Sequence, residues 1–406
     1  MNQHKPRLVI GLLSHYLEDP NLGCVALSIS NMRLMDQVAK DEGIDLEYRL
    51  LLNENSLPAK PRFSSTPYEY RTFNSSKSTL RHPIKYVRSD AFRDCDLVVN
   101  INAGDGFTDL YSFGRMLAES YMMLLAQSKG VPTLMAPQTI GPFQKWASRR
   151  IAARVMSKCI AVFSRDGLST DLATTLSKSD NVIEVIDVAF ALPFQREAAE
   201  RSTRKLNVGV NVSGLLFRGG YDRDNYFNLA VDYRLFILSL VARLQKEGHL
   251  VHLVSHVFGQ PGSIEDDYSA SEEVAELFPE VVLAPRFEDP VSAKNYIASL
   301  DFFTGARMHA TIAAHSSGTP VVPIGYSKKL NGLYDTLKYP FYIDIRDTKW
   351  SVESATDQVI EWISEIHLIQ DALRTGSEIF RTRLDAYCTE LRTVMTANVR
   401  FDGPPR

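Results

Sequence analysis

Residues 301–320 read DFFTGARMHATIAAHSSGTP. The apolar run to Thr304 predicts a strand, Gly305 permits a tight turn, and Met308 to Ser317 predicts a helix that Gly318 closes before a further strand begins at Pro320. Strand, turn, helix and strand in succession form a parallel βαβ unit. The pattern recurs outward from this stretch. In the second half of the chain, residues 206–212, 250–255, 281–284 and 320–324 read as strands, with helices over 227–247, 290–299 and 308–317. In the first half, strand-like runs fall at 8–13, 46–52, 96–101, 131–135, 161–164 and 182–186, several followed by a polar turn and an amphipathic stretch. The fold class is therefore α/β.

The charged run QREAAERSTRK at 195–205 lacks any apolar period, so the interdomain boundary is expected there. That gives an N-terminal α/β domain over 1–195, a C-terminal one over 206–350, and a helical segment over 351–406 expected to pack back toward the first. The polar segment 53–82 is too long for an ordinary connection and reads as a mobile functional loop or a partly disordered insert. Two open α/β sheets facing each other would place a ligand cleft at the strand carboxyl ends.

The chain has 406 residues, 45% apolar and 23% charged, with 45 Lys+Arg against 48 Asp+Glu. Such composition is globular, and two domains of this size can each bury a core. A formal charge of −3 without a recognised basic stripe argues against nucleic acid as partner. Cys24, Cys95, Cys159 and Cys388 are widely spaced without a C-x-x-C pair, which suggests neither a zinc site nor a disulfide framework and fits a reducing cytoplasm. The apolar run after Lys5 and Arg7 is too short for a signal peptide, and no run approaches the ~18 apolar residues that a bilayer span requires. Peripheral contact with the inner face of a membrane stays open, as does homo-oligomerisation.

Chemistry concentrates at the predicted strand ends. Arg307 and His309 fall at the start of a helix, where unpaired N–H groups and the dipole favour an anion, and the Arg307 fork suits phosphate or carboxylate. The alternative is that Arg307 pairs with a protein carboxylate and His309 is a core histidine; for His315 the core reading is preferred. Arg165 follows a buried strand in the first half, its alternative being an ion pair with Asp166 or Asp187. The loop at 102–111 offers Gly104 for close backbone approach and Asp105 as a base toward a sugar hydroxyl, while Asp109 reads as a helix cap. Gln138 and Thr139 are candidate hydrogen-bond donors. Ser213 and His256 end strands on the same predicted rim of the second domain. Asn21-Leu22-Gly23 is a weaker signal of the same kind. No H-E-x-x-H, G-x-x-x-x-G-K-[ST] or G-x-S-x-G is present, so no metal site is expected and protease, P-loop and hydrolase readings lack support.

Taken together, NLG at 21–23, NAGDGFTDLY at 102–111, PQTIGPF at 137–143, FSRDGLS at 163–169, DVAFALP at 187–193, NVSG at 211–214 and ARMHATIAAHSSGTPVVPIGYSKK at 306–329 resemble the polysaccharide pyruvyltransferase family. The resemblance covers roughly residues 7–335. It implies two Rossmann-like domains with parallel sheets facing across a cleft, similar to GT-B glycosyltransferases. It also implies transfer of a pyruvyl group from phosphoenolpyruvate to a sugar, or to a lipid-linked oligosaccharide, of a surface or exported polysaccharide, giving a pyruvate ketal without a cofactor. By the same resemblance Arg307, Met308 and His309 match the Arg-Leu-His segment that binds phosphoenolpyruvate, and Arg165 matches the arginine of the first-domain segment. Cys24 stands where Asp is common, and Ala103-Gly104 where Gly-Gly is frequent. His309 is then the expected proton donor and Asp105 the sugar-side base, with Arg165, Met308, Gly104, Gln138, Thr139, Ser213 and His256 binding substrate. The competing readings are a GT-B glycosyltransferase using a nucleotide sugar and a non-catalytic relative in polysaccharide assembly.

Overall fold

Leu8 to Leu13 are all buried, as a central strand covered on both faces requires, and this run forms most of β1 (Pro6–Leu13). The computed structural model describes residues 5–53, 66–73, 91–196, 205–260 and 262–401. They divide into two compact units: one takes residues up to Glu18, Leu27–Val188 and Thr382 onward, the other Asp19–Ala26 and Ala189–Arg381.

In the first unit β1 is joined by β2 (Asp45–Asn53), β3 (Tyr68–Phe73), β4 (Leu97–Asn100), β5 (Thr133–Gln138), β6 (Ala161–Ser164) and β7 (Val182–Glu184), in the order β3-β2-β1-β4-β5-β6-β7. All six pairings along this path are parallel. The chain winds one way from β1 to β3, then restarts beside β1 with β4 and winds the other way. That reversal is the switch point at which open α/β sheets bind ligands. Helix α1 (Leu22–Asp41) links β1 to β2, while α2 (Phe113–Ser128), α3 (Trp146–Met156) and α4 (Gly167–Ser177) fill the three crossovers from β4 to β7. Right-handed crossovers put α2, α3 and α4 on one face of the sheet. A short strand at Arg400–Phe401 pairs antiparallel with Pro6 and Arg7.

The second unit repeats the plan. β8 (Asn207–Asn211), β9 (Leu250–Leu253), β10 (Val282–Leu283), β11 (Phe302–Gly305), β12 (Val321–Gly325) and β13 (Ile343–Asp344) run in the order β10-β9-β8-β11-β12-β13, again all parallel. Its switch point lies between β8 and β11. The helices are α5 (Gly214–Phe217), α6 (Tyr233–Lys246), α7 (Asp267–Leu277), α8 (Pro290–Ser299), α9 (Met308–Ser317), α10 (Lys328–Thr336) and α11 (Val352–Ser364); α12 (Ile366–Ala397) follows. Phe236, Ile237, Leu240, Val241 and Leu244 form the apolar stripe that seats α6 on the sheet.

The structure departs from the sequence expectations in three ways. Segment 53–82 contains β3, whose Tyr68-Glu-Tyr-Arg-Thr-Phe73 pairs with β2; the rest of that segment after Asn53 and before Thr66, and from 74 on, lies outside the described residues. The division of the chain falls at Val188, ahead of the charged run, of which residues 197–204 also lie outside the described residues. The single C-terminal helical pattern is two helices broken at Glu365, and the division between units falls inside α12, at Arg381. From there Tyr387 donates to Asn31 Oδ1 (2.6 Å) and Arg383 pairs with Glu184 (2.5 Å) in the first unit.

Candidate functional site

At the switch point of the second unit Gly305, the last residue of β11, pairs with Asn211, the last of β8. A Cβ at 305 would overlap the Asn211 side chain, so the glycine serves close approach of two strands, and its φ is not in the left-handed region that a tight turn would need. Asn211 Oδ1 accepts the Arg307 N–H at 3.0 Å and its Nδ2 donates to Val254 O at 2.9 Å. Arg307 itself is extended (φ −79°, ψ 114°) and is the N-cap of α9, with Met308 and His309 opening the first turn.

The side chain of Arg307 is held by Asp267 at the start of α7. Nε lies 3.1 and 3.2 Å from the two carboxylate oxygens and Nη2 2.8 Å from one of them, while Nη2 also donates to Glu265 O at 2.9 Å. Burial disfavours the guanidinium charge, but the field and hydrogen bonds of Asp267 outweigh it and raise the Arg307 pKa. Asp267 is fully buried and accepts further N–H groups from Gly214 (2.9 Å), Val257 (3.2 Å) and His256 (3.3 Å). One carboxylate therefore knots α5, the β9 loop and α9 together. Nη1 of Arg307 makes no hydrogen bond among the described residues, and this edge is the one available to a ligand anion.

The Asn21-Leu22-Gly23 motif belongs to this unit. Leu22 N–H donates to His256 O (3.1 Å), Phe258 N–H donates to Pro20 O (2.8 Å), and Asn21 bridges to Val257. A Cβ at Gly23 would overlap Nδ1 and Cγ of His309, so the glycine is the wall against which that imidazole lies. His256 is buried, and neither ring nitrogen has a hydrogen-bond partner among the described residues; the same holds for Ser213 Oγ. Burial first, then the charges of His309 and Arg307, push the His256 pKa down to about 3, which keeps the ring neutral. Buried polar atoms without partners are uncommon and mark places where a ligand or water completes the set.

Gly23→Ala is expected to displace the His309 ring and to destabilise the unit by about 1–3 kcal/mol, the usual cost of overpacking. A changed His309 imidazole NMR signal together with the shifted melting temperature checks it; an unmoved signal would refute the wall. His315 lies elsewhere. It is buried among the rings of Phe190, Tyr334, Tyr339 and Phe380, with its pKa pushed down to about 3 by burial, so it is a core residue.

The first unit places its candidates as follows. Arg165 donates from Nη1 to Asp187 (2.5 Å) and from Nε to Thr139 Oγ1 (2.9 Å), the ion pair being nearly fully buried. The carboxylate alternative for Arg165 is thus realised with Asp187, while Asp166 caps α4 through the Ser169 N–H (2.8 Å). Gly104 lies against that guanidinium: a Cβ there would be 3.2 Å from Arg165 Nη1. Gln138 Nε2 donates to Asn100 O (3.0 Å) and Ala136 O (3.1 Å), and its Oε1 accepts from Asn102 (2.7 Å), so its amide is committed to the strand ends. Asn102, Ala103 and Gly104 are all left-handed (φ 45°, 51° and 88°), a strained turn at the tip of β4. Asp105, half-buried, accepts from Oη of the exposed Tyr111 (2.7 Å), and Asp109 takes the Gln144 and Lys145 N–H groups (2.8 and 2.9 Å) at the start of α3.

The fold has known relatives. MnaA of S. aureus in complex with UDP superposes with a TM-score of 0.60 at 13% identity, over 98% of this chain and 99% of that one. Anabaena Alr3699/HepE in complex with UDP and glucose gives 0.58 at 11% identity, over 96% and 99%. An α,α-trehalose 6-phosphate synthase from Burkholderia multivorans gives 0.56 at 11%, over 96% and 99%. The fold is therefore GT-B-like, α/β with two Rossmann-like domains. No curated protein matches the chain in sequence. A family model described as polysaccharide pyruvyl transferase matches residues 21–328.

Proposed function

Because this chain belongs to the polysaccharide pyruvyl transferase family, we propose that it moves a pyruvyl group from phosphoenolpyruvate to two hydroxyls of a sugar, forming a ketal and releasing phosphate. The observation that carries the reading is the convergence, at one switch point, of the Asp267-held Arg307, His309 and the partnerless polar atoms of His256 and Ser213. Arg307 Nη1 and the positive end of the α9 dipole hold an anionic group of the donor. Neutral His256 and Ser213 supply hydrogen bonds to its remaining oxygens. His309 delivers a proton to the methylene carbon, which becomes the methyl group. One sugar oxygen attacks the cationic carbon so formed, and the second adds as the C–O bond to phosphate breaks; of the two hydroxyl protons, one restores His309 and the other leaves with phosphate.

Phosphoenolpyruvate at a hundredfold excess over its Kd should stabilise the protein by about 2.7 kcal/mol. UDP serves as the contrasting ligand in the same melt. His309→Ala should retain that stabilisation but release phosphate at least ~100-fold more slowly across a panel of sugar acceptors, the typical worth of a proton donor. Stabilisation by UDP and none by phosphoenolpyruvate would overturn the reading.

A further inference from the structure

Helix α3 stands apart from its neighbours in charge. Between residues 144 and 164 the sequence holds Lys145, Arg149, Arg150, Arg154 and Lys158 and neither Asp nor Glu, in a chain whose formal charge is −3. None of these five cations forms an ion pair among the described residues; the contacts they do make include Lys145 over the Phe113 ring (4.8 Å) and Arg150 over Trp146 (5.7 Å). The helix is two-sided. Ser148, Ala152, Val155 and Met156 are buried toward the sheet, whereas Trp146, Arg150 and Arg154, one turn apart in a single row, face away with Arg149 beside them.

The outward face also carries apolar surface. Trp146 is 71% exposed, and Leu110 and Tyr111, 46% and 48% exposed, belong to the loop that Asp109 pins to the N-terminus of α3. Large apolar side chains standing in water beside unpaired cations fit a boundary that is apolar on one side and anionic on the other. A soluble polyanion would satisfy the cations and leave Leu110 unanswered.

We infer that this face of α3 docks on an anionic phospholipid bilayer. Trp146, Tyr111 and Leu110 enter the zone between headgroups and acyl chains, while Lys145, Arg149, Arg150 and Arg154 meet lipid phosphates from long side chains. No helix among the described residues is long and apolar enough to cross a membrane, so the attachment is superficial and salt-sensitive. The inference is independent of the transferase chemistry, since none of these residues lies in the second unit.

The test is flotation of the full chain with vesicles of phosphatidylcholine containing about 30 mol % phosphatidylglycerol, against pure phosphatidylcholine. The protein should float with the first and not the second, and come off at high salt. Arg149→Glu/Arg150→Glu should weaken binding at least ~10-fold, and Trp146→Ala by a similar factor, with melting temperatures unchanged because the sites are exposed. Trp146→Phe should abolish the blue shift of tryptophan emission that vesicles induce. Equal partition onto both vesicles, or undiminished binding by the double variant, overturns the inference. So does competition by an RNA oligonucleotide combined with an inert Trp146→Ala, which would mark a polyanion site. Phosphate release with a soluble acceptor should be unchanged in the double variant, which separates failure here from failure of the proposed activity.

Discussion

Asp267→Ala is expected to cost the second unit about 3–5 kcal/mol, the penalty for breaking a buried ion pair by removing one partner. Asp267 is wholly buried, and Arg307, 12% exposed at its side chain, would keep a charge with nothing to answer it. The N–H groups of Gly214, His256 and Val257 would lose their acceptor in the same step. Asp267→Asn keeps an acceptor oxygen but not the charge, and should fall between the two. Differential scanning calorimetry of the full chain checks this, because the two units need not melt together and the affected transition can be followed by itself. An Asp267→Ala transition within about 1 kcal/mol of the parent would mean that the carboxylate is incidental.

In the proposed reaction, Arg307→Ala should lower kcat/KM for phosphoenolpyruvate by roughly 10²–10³-fold, the range found when one well-placed donor to a developing negative charge is removed. Arg307→Lys should recover little of it. The arginine spends Nε and Nη2 on Asp267 and Glu265 and still presents Nη1, whereas an ammonium on a flexible stem has no fork with which to do both. Steady-state phosphate release, run well below the melting temperature of each variant, measures the effect. A Lys variant within threefold of the parent would show that only charge matters at this position.

Much of the fold was legible because burial on both faces writes itself as unbroken apolar runs. β6 was read to the residue for that reason, and α9 because Gly318 punctuates it; α8 also keeps the expected range 290–299. β3 escaped: its alternation of Tyr, Glu and Arg reads as polar, and only its pairing with β2 makes a strand of it. Two-residue β13 was too short to show.

In the candidate site, Arg307, His309, His256, Ser213 and Gly23 were all visible as strand-end or loop residues. What could not be seen is Asp267. It lies forty residues from Arg307, and an acidic residue in a Glu-Asp-Asp run looks like a solvated helix cap until the tertiary fold buries it. Gln138 misled in the opposite direction, since its amide turned out to close the ends of β4 and β5. A polar residue at a strand tip can face a ligand or finish the sheet, and local sequence does not distinguish them.

The assignment of Asp19–Ala26 to the second unit, though its neighbours on both sides belong to the first, bears on how the molecule can be made and taken apart. During synthesis these eight residues emerge long before the His256–Phe258 segment that will receive them, so the second lobe cannot mature as a free-standing translation product. No single proteolytic cut yields two intact halves, and a gene fragment starting at Ala189 would encode His309 without the glycine that backs it.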